Sequence, residues 1–325
     1  MMENNYLTME EAKNNSQIMS KIMDNVETVM LGKRQAVEMA VLALVCGGHI
    51  LIEDVPGVGK TTLVSALAKS IDCEFNRIQF TPDIMPSDVT GFSIFNQKDR
   101  EFEFRPGAVM SNLILADEIN RASAKTQSSL LEAMEERQVT VDSNTYKLEE
   151  PFMVMATQNP LESYGTYPLP EAQIDRFLIK LSIGYPQITQ EMEMLAMGDE
   201  GKKKIGPVVT GADVNRLKDD VKRVFVSPVV NQYVVEIVTA TRNHSELKLG
   251  SSPRGSLALF NLSRTYAMYQ GRNYVLPDDV KFLVPYALGH RISLTHDAKS
   301  GGKTAKDVLD AIVGSIAIPI EESAK

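Results

Sequence analysis

The stretch that most constrains this chain is HILIEDVPGVGKTTLVSALAKS, residues 49 to 70. A short apolar run leads into a glycine-containing turn, and a helical pattern starts directly after it. A phosphate-binding loop of the form G-x-x-x-x-G-K-[ST] needs this order. The strand delivers the chain to a tight turn whose backbone N–H groups wrap an anion, and the helix behind it points its N-terminal dipole at the same place. The lysine reaches the outer phosphates of a nucleotide, and the next hydroxyl joins a magnesium shell. Asp54 stands where the pattern has its first glycine, but aspartate tolerates turn conformations. Gly57 and Gly59, where side chains would collide with phosphates, are kept. Pro56, Gly57, Val58, Gly59, Lys60, Thr61 and Thr62 are therefore read as a nucleotide site, with Thr61 on the metal and Asp54 bearing on affinity rather than on the existence of the site.

A rival, DAKSGGKT at 297 to 304, fits the same degraded pattern. It follows the polar ISLTHDAKS and lies among helical signals, so Gly301 and Gly302 are expected to join two helices and to hold no nucleotide.

Five apolar strand candidates recur along the first half, at 49–53, 76–80, 113–117, 152–157 and 177–183, with helical or loop segments between them. Apolar runs of this kind imply a parallel sheet covered on both faces. Two segments interrupt the alternation. GFSIFNQKDREFEFRPG and QVTVDSNTYKLEE each alternate apolar and polar residues around a turn, the second around Ser143 and Asn144, and read as hairpins. They are either small structural elements or projections toward a partner. After Tyr185 and Pro186 the strand signals fade. Residues 187 to 320 read as helices, one capped by Ser227 with Pro228 at its first position. The expected division is an α/β domain over 1–185 and a smaller helical domain over 186–325.

Composition sets outer limits. A net charge of −8 argues against a broad nucleic-acid or anionic-membrane surface. Three lysines at 202–204 lie between glycines as a solvated loop. Cys46 and Cys73 lack metal-site spacing and read as reduced thiols, and four scattered histidines make a protein-held transition metal an unpromising reading. The opening residues have no basic and apolar signal pattern, and the apolar run MAVLALVC falls far short of the roughly 20 residues of a span. A cytoplasmic protein with no membrane span is expected.

Further residues fit phosphate chemistry. NLILADEINR ends a strand in Asp117 and Glu118. The first suits a magnesium ion held through water, and the second suits the group that polarises an attacking water. MVMATQNP ends a strand in Thr157, Gln158 and Asn159, which can align that water. Arg176 follows Asp175 and reads either as a surface ion pair or as a site residue. Arg254 sits at a helix start, where the dipole disfavours a cation, which points to an external anion.

Together these segments resemble MoxR-type ATPases of the AAA+ class over residues 10 to 320. The resemblance is carried by EDVPGVGKTTL, TPDIMPSDVTG, FRPGAV, LADEINRASAKTQSSLLEAMEERQVTV, MATQNPLESYGTYPLPEAQIDRF and SSPRGSLAL. It implies a P-loop doubly wound parallel sheet of order 5-1-4-3-2 with a helical lid, and ATP with Mg2+ between the subunits of a homo-oligomeric ring, commonly a hexamer. Residue by residue it implies Lys60 and Thr61 in Walker A, Asp117 and Glu118 in Walker B, and Asn159 at sensor 1. Arg176 matches the arginine finger and Arg254 sensor 2, acting in cis or in trans. The hairpins match the helix-2 insertion and the one before sensor 1. Such relatives act as chaperone-like motors on protein clients, assisting metal or cofactor insertion, often with a von Willebrand factor A domain partner. A nucleotide-dependent switch, a DNA-acting motor and a magnesium-chelatase-like subunit are the rival readings. Glu118, Asn159 and Arg176 favour hydrolysis over a pure switch.

The choice between the two loops has a direct test. Lys60→Ala should abolish nucleotide binding in a titration with a fluorescent ATP analogue, while Lys303→Ala should leave it unchanged.

Overall fold

The computed structural model describes residues 6–159, 165–197 and 205–319. The lysines at 202–204 fall outside that set. Five strands form one parallel sheet: β1 (Ile50–Glu53), β2 (Phe75–Gln79), β3 (Leu113–Asp117), β4 (Met153–Gln158) and β5 (Ile179–Leu181). Their spatial order is β5-β1-β4-β3-β2, as the resemblance implied. In β1, Ile50 lies opposite Met155 of β4 on one side and Ile179 of β5 on the other.

The continuous apolar runs follow from burial on two faces. Ile50, Ile52, Leu113, Leu115, Met153 and Met155 point into one core with helices α1 (Met9–Glu27), α2 (Arg34–Val45) and α3 (Lys60–Ser70). The alternate residues Leu51, Ile114, Ala116, Val154 and Ala156 point into a second core. Short α4 (Pro86–Thr90) and longer α5 (Ala124–Glu136) pack there. The period-2 geometry of a strand makes this division, so neither set of positions can be polar.

Both insertions are hairpins. Gly91–Asn96 pairs with Glu101–Pro106, and Gln138–Val141 with Asn144–Lys147. The second turn lies one residue earlier than its sequence suggested. Asp142 and Ser143 both take positive φ, 48° and 70°, which is what a two-residue turn between twisted strands requires. Phe104 of the first hairpin stacks on Tyr146 of the second at 3.9 Å between ring centroids, so the two insertions pack on one another.

After a short α6 (Glu171–Ile174) and β5, the remainder is mainly helical: α7 (Ile188–Met197), α8 (Gly211–Val221), α9 (Pro228–Arg242), α10 (Pro253–Tyr269), α11 (Pro277–Leu288), α12 (His296–Ser300) and α13 (Ala305–Ser315). Ser227 caps α9 by accepting from the Val230 N–H. The expectation of helices alone misses a small antiparallel ribbon, Leu247–Leu249 with Ser293–Leu294. Its strands are too short to carry a period.

The helical half is joined to the sheet by polar anchors as well as by the shared core. Arg291, after α11, is nearly inaccessible. Its Nε donates to Asp175 Oδ1 at 2.8 Å, and its guanidinium also donates to the carbonyl oxygens of Asp175, Phe177, Leu178 and Ala287. Such a buried cation is tolerated because every donor direction has a partner. Truncating it removes one donor from Asp175, which keeps Ser252, and one from each of three carbonyls at the start of β5. Arg291→Met should therefore cost about 3–5 kcal/mol in denaturant unfolding, as expected when one partner of a buried pair is removed.

Candidate functional site

β1 delivers the chain to the loop at the carboxyl-terminal edge of the sheet, where the Asp54 N–H donates to the Gln158 carbonyl of β4 at 3.3 Å. Gly57 and Gly59 take φ of 84° and 95°, a region L side chains rarely adopt. Gly59 is the N-cap of α3 and offers no side-chain partner, leaving the first N–H groups of the helix to face outward. Pro56, Gly57, Thr61 and Thr62 are exposed and Val58 is buried beneath them. Lys60 arches over the loop, its Nζ donating to the Asp54 carbonyl at 2.9 Å. Asp54 is absent from the described residues with positive φ, so a glycine has no conformational advantage at this position.

The rival segment has no such frame. α12 ends before Gly301, Thr304 caps α13, and the Lys303 ammonium is bonded to Glu246. It joins two helices, as its flanking sequence implied.

Asp117 and Glu118 close β3 at the same edge, and one buried hydroxyl organises both. Thr157 Oγ1 donates to Asp117 Oδ1 at 2.6 Å and accepts from the Glu118 N–H at 2.8 Å. Arg77 Nη2 of β2 takes the other oxygen, Asp117 Oδ2, at 2.7 Å. Glu118 is held at φ 57° and ψ 48°, a left-handed conformation that costs a non-glycine residue about 1–3 kcal/mol. Its carboxylate projects off the strand end beside Arg121, at 3.0 Å. Asn159 is buried where β4 ends. The structure thus brings Lys60, Thr61, Asp117, Glu118 and Asn159 to one edge.

Beside the loop lies a cavity of about 320 Å3 lined by Gly32, Lys33, Ala36, Ser182, Ile183 and Tyr286 among others. The sequence reading named none of these. Arg77 and Glu135 carried no expected role, and Thr157, expected to align water, instead joins Asp117 to Glu118. Arg77 and Gln79, polar residues in a strand otherwise expected to be apolar, are the signal that was there to find.

Arg176 and Arg254 lie elsewhere. Arg176 Nη1 donates to the Leu131 carbonyl and to Glu135 Oε2, both at 2.9 Å, and Arg254 Nη2 takes Glu135 Oε1 at 2.5 Å. The two guanidiniums thus share one carboxylate near the end of α5, and together with His49 and Met134 they line a small cavity. His49 precedes β1, and Asp54 follows it. At a rise of about 3.3 Å per residue the two ends of β1 are roughly 17 Å apart. His49 itself is a spacer. Its Nδ1 accepts from the Val154 N–H while Nε2 faces the Met134 carbonyl, and burial pushes its pKa down to about 3, so it stays neutral.

Comparison with known proteins agrees with this geometry. Residues 49–179 match the ATPase family associated with various cellular activities (AAA), and residues 239–312 match the AAA lid domain. The chain is 41% identical to Chaperone MoxR1 of Mycobacterium tuberculosis, over 90% of this chain and 80% of that protein. This chain belongs to the MoxR family of AAA+ ATPases. It is also 50% identical to YeaC of Bacillus subtilis, an uncharacterized protein, over 94% and 97% of the two chains. A crystal structure from Cytophaga hutchinsonii, of a protein named as a candidate ATPase, superposes with a TM-score of 0.88 at 38% identity, covering 96% of this chain and 98% of that one. The match to the AAA lid domain falls within the helical half, from the end of α9 into α13.

Thr157 is the hinge of the acidic pair. Thr157→Val keeps the shape and deletes the hydroxyl, leaving the Glu118 N–H without its partner. It should lose about 1–3 kcal/mol of stability in urea, and ATP turnover should fall more than nucleotide affinity does.

Proposed function

We propose that this chain hydrolyses ATP with Mg2+ in a homo-oligomeric ring, each site completed by two arginines of the neighbouring copy, and uses the cycle to remodel protein clients. The observation carrying this reading is the separation of Arg176 and Arg254 from the phosphate loop of their own chain by the length of β1. An arginine at that distance cannot reach its own nucleotide, whereas head-to-tail packing of identical copies brings one edge of the sheet against the other. Both arginines meet on Glu135, so Arg254 serves the neighbour's site along with Arg176.

Roles follow from the chemistry. The backbone from Pro56 to Thr62 and the Lys60 ammonium hold the phosphates, and the cavity between Lys33 and Tyr286 takes the base. An exposed hydroxyl at Thr61 and the carboxylate of Asp117 are hard oxygen donors of the kind Mg2+ takes alongside phosphates and water. When bound, the ion neutralises charge on the β- and γ-phosphates. Glu118 polarises the attacking water, and Asn159 aligns it from the end of β4. The ion pairs of Glu135 with the arginines are partly exposed and worth about 0–1 kcal/mol each. A neighbour's γ-phosphate can therefore displace them at little cost. The similarity to Chaperone MoxR1 supports a protein client for the motor.

Mixing distinguishes cis from trans. Arg176→Ala and Arg254→Ala should each bind ATP almost normally and hydrolyse it poorly, the finger being worth about 10³–10⁵ in rate in related NTPases. Either variant mixed with Lys60→Ala should regain activity, because one kind of mixed interface pairs an intact loop with intact arginines. Absence of recovery, with turnover independent of protein concentration, would assign the arginines to structural ion pairs. Separately, Glu118→Gln should retain ATP and accumulate it unhydrolysed, as read by filter binding and phosphate release.

A further inference from the structure

Asp54 is the departure from the phosphate-loop pattern, and its carboxylate makes contacts that glycine could not. It is only 7% exposed. Its Oδ2 accepts from the Ile183 N–H at 2.5 Å, the Gly184 N–H at 2.8 Å and the Ser182 hydroxyl at 3.2 Å, and its Oδ1 from the Val55 N–H at 3.1 Å. Gly184 takes φ of 66°, which turns two successive N–H groups to the same side in the concave form that binds anions. The anion here is a side chain of the loop itself.

The segment so held is the connection from β5 into α7 and the lid. Lys33 grips it through its other set of polar groups. The Lys33 Nζ donates to the carbonyl oxygens of Ile183, Gly184 and Tyr185 at 2.9, 2.9 and 2.7 Å. N–H groups and carbonyls of one short segment are thus tied to opposite charges from two different elements. Charge-assisted bonds of this kind are stronger than neutral ones and set direction as well as distance. Asp54 also carries the bond from Lys60 on its carbonyl oxygen. Lys60, Asp54 and the connection therefore form one continuous chain of hydrogen bonds.

We propose that Asp54 is a positioning residue that couples occupation of the phosphate loop to the placement of the chain's own lid, and so of Arg254 at the neighbouring site. This rests on the ATP-hydrolysing ring proposed above. Phosphate arriving in the loop draws the Lys60 ammonium away from the Asp54 carbonyl. The backbone at Asp54 is then freed on one side while its carboxylate still holds residues 182–184, and its movement is passed into the connection. With glycine at this position the loop would still wrap phosphate, but nothing would transmit its state.

Amide hydrogen exchange on the full-length chain, with and without a non-hydrolysable ATP analogue and Mg2+, reads this coupling at residues 182–185 and 250–257. In the wild type, nucleotide should change protection in both segments. Asp54→Gly should bind the analogue within about threefold of wild type, lower kcat about tenfold at nearly constant KM, and lose the nucleotide response at 250–257, the pattern of a group that acts after binding. Asp54→Asn keeps an acceptor oxygen for the two N–H groups and should recover part of that response. It also carries the test if the glycine variant does not fold. A wild-type response at 250–257 in both variants would overturn the coupling, and so would affinity and kcat falling by the same factor, which would make Asp54 a builder of the loop alone. Failure of the wild type to bind the analogue would instead overturn the ATP reading. Faster exchange at 182–185 in nucleotide-free Asp54→Gly would still report the tether.

Discussion

A parallel sheet has two unlike edges, and the chemistry of this protein depends on that asymmetry. Every strand enters at one edge and leaves at the other, so residues that follow strands collect together and residues that precede them collect a strand length away. The phosphate loop follows β1, the acidic pair ends β3, and Asn159 follows β4. Arg176 precedes β5, and α5 runs back across the sheet to bring Glu135 beside it. The chain thereby carries its phosphate loop and its two Glu135-paired arginines at opposite edges of one sheet. Covering both faces with helices keeps this division rigid, because the strands are locked from either side by close-packed apolar residues.

At the nucleotide edge, strain and support occur together. Glu118 is held in a backbone conformation that its side chain disfavours, and the fully buried Thr157 hydroxyl holds both it and Asp117. A hydroxyl that donates one way and accepts the other fixes two carboxylates relative to one another with a single atom. Legible in the sequence were the two acids and a polar strand end. The bond joining them was not, because β3 and β4 become neighbours only in the sheet order, and nothing local in either segment announces it.

The arginine edge is governed by weaker forces. Two cations converge on one partly exposed carboxylate, an arrangement that keeps both side chains extended toward the same point without committing them strongly. The lid adds a firmer attachment through Arg291, whose guanidinium is buried and fully paired with the start of β5, and through the Ser252 hydroxyl, which donates to Asp175 at 2.7 Å. Strong anchoring behind and weak pairing in front are what the proposed exchange of Glu135 for a neighbour's phosphate requires.

The sequence by itself determined the five strands, the choice between the two candidate loops, the cap of α9 and the acids and polar residue that end β3 and β4. These are local matters: apolar period, glycine at positive φ, a capping hydroxyl, a lysine following a tight turn. Only the tertiary structure decided that Arg176 and Arg254 share Glu135, and that both lie a strand length from Lys60. It also decided what Asp54 touches. Read along the chain, that residue is a missing glycine. In the fold it is a buried carboxylate whose partners, Ser182 to Gly184, lie about 130 residues further on, brought beside it because β5 pairs with β1. Contacts of such separation depend on strand order, and strand order is set by the packing of the whole sheet rather than by any segment within it.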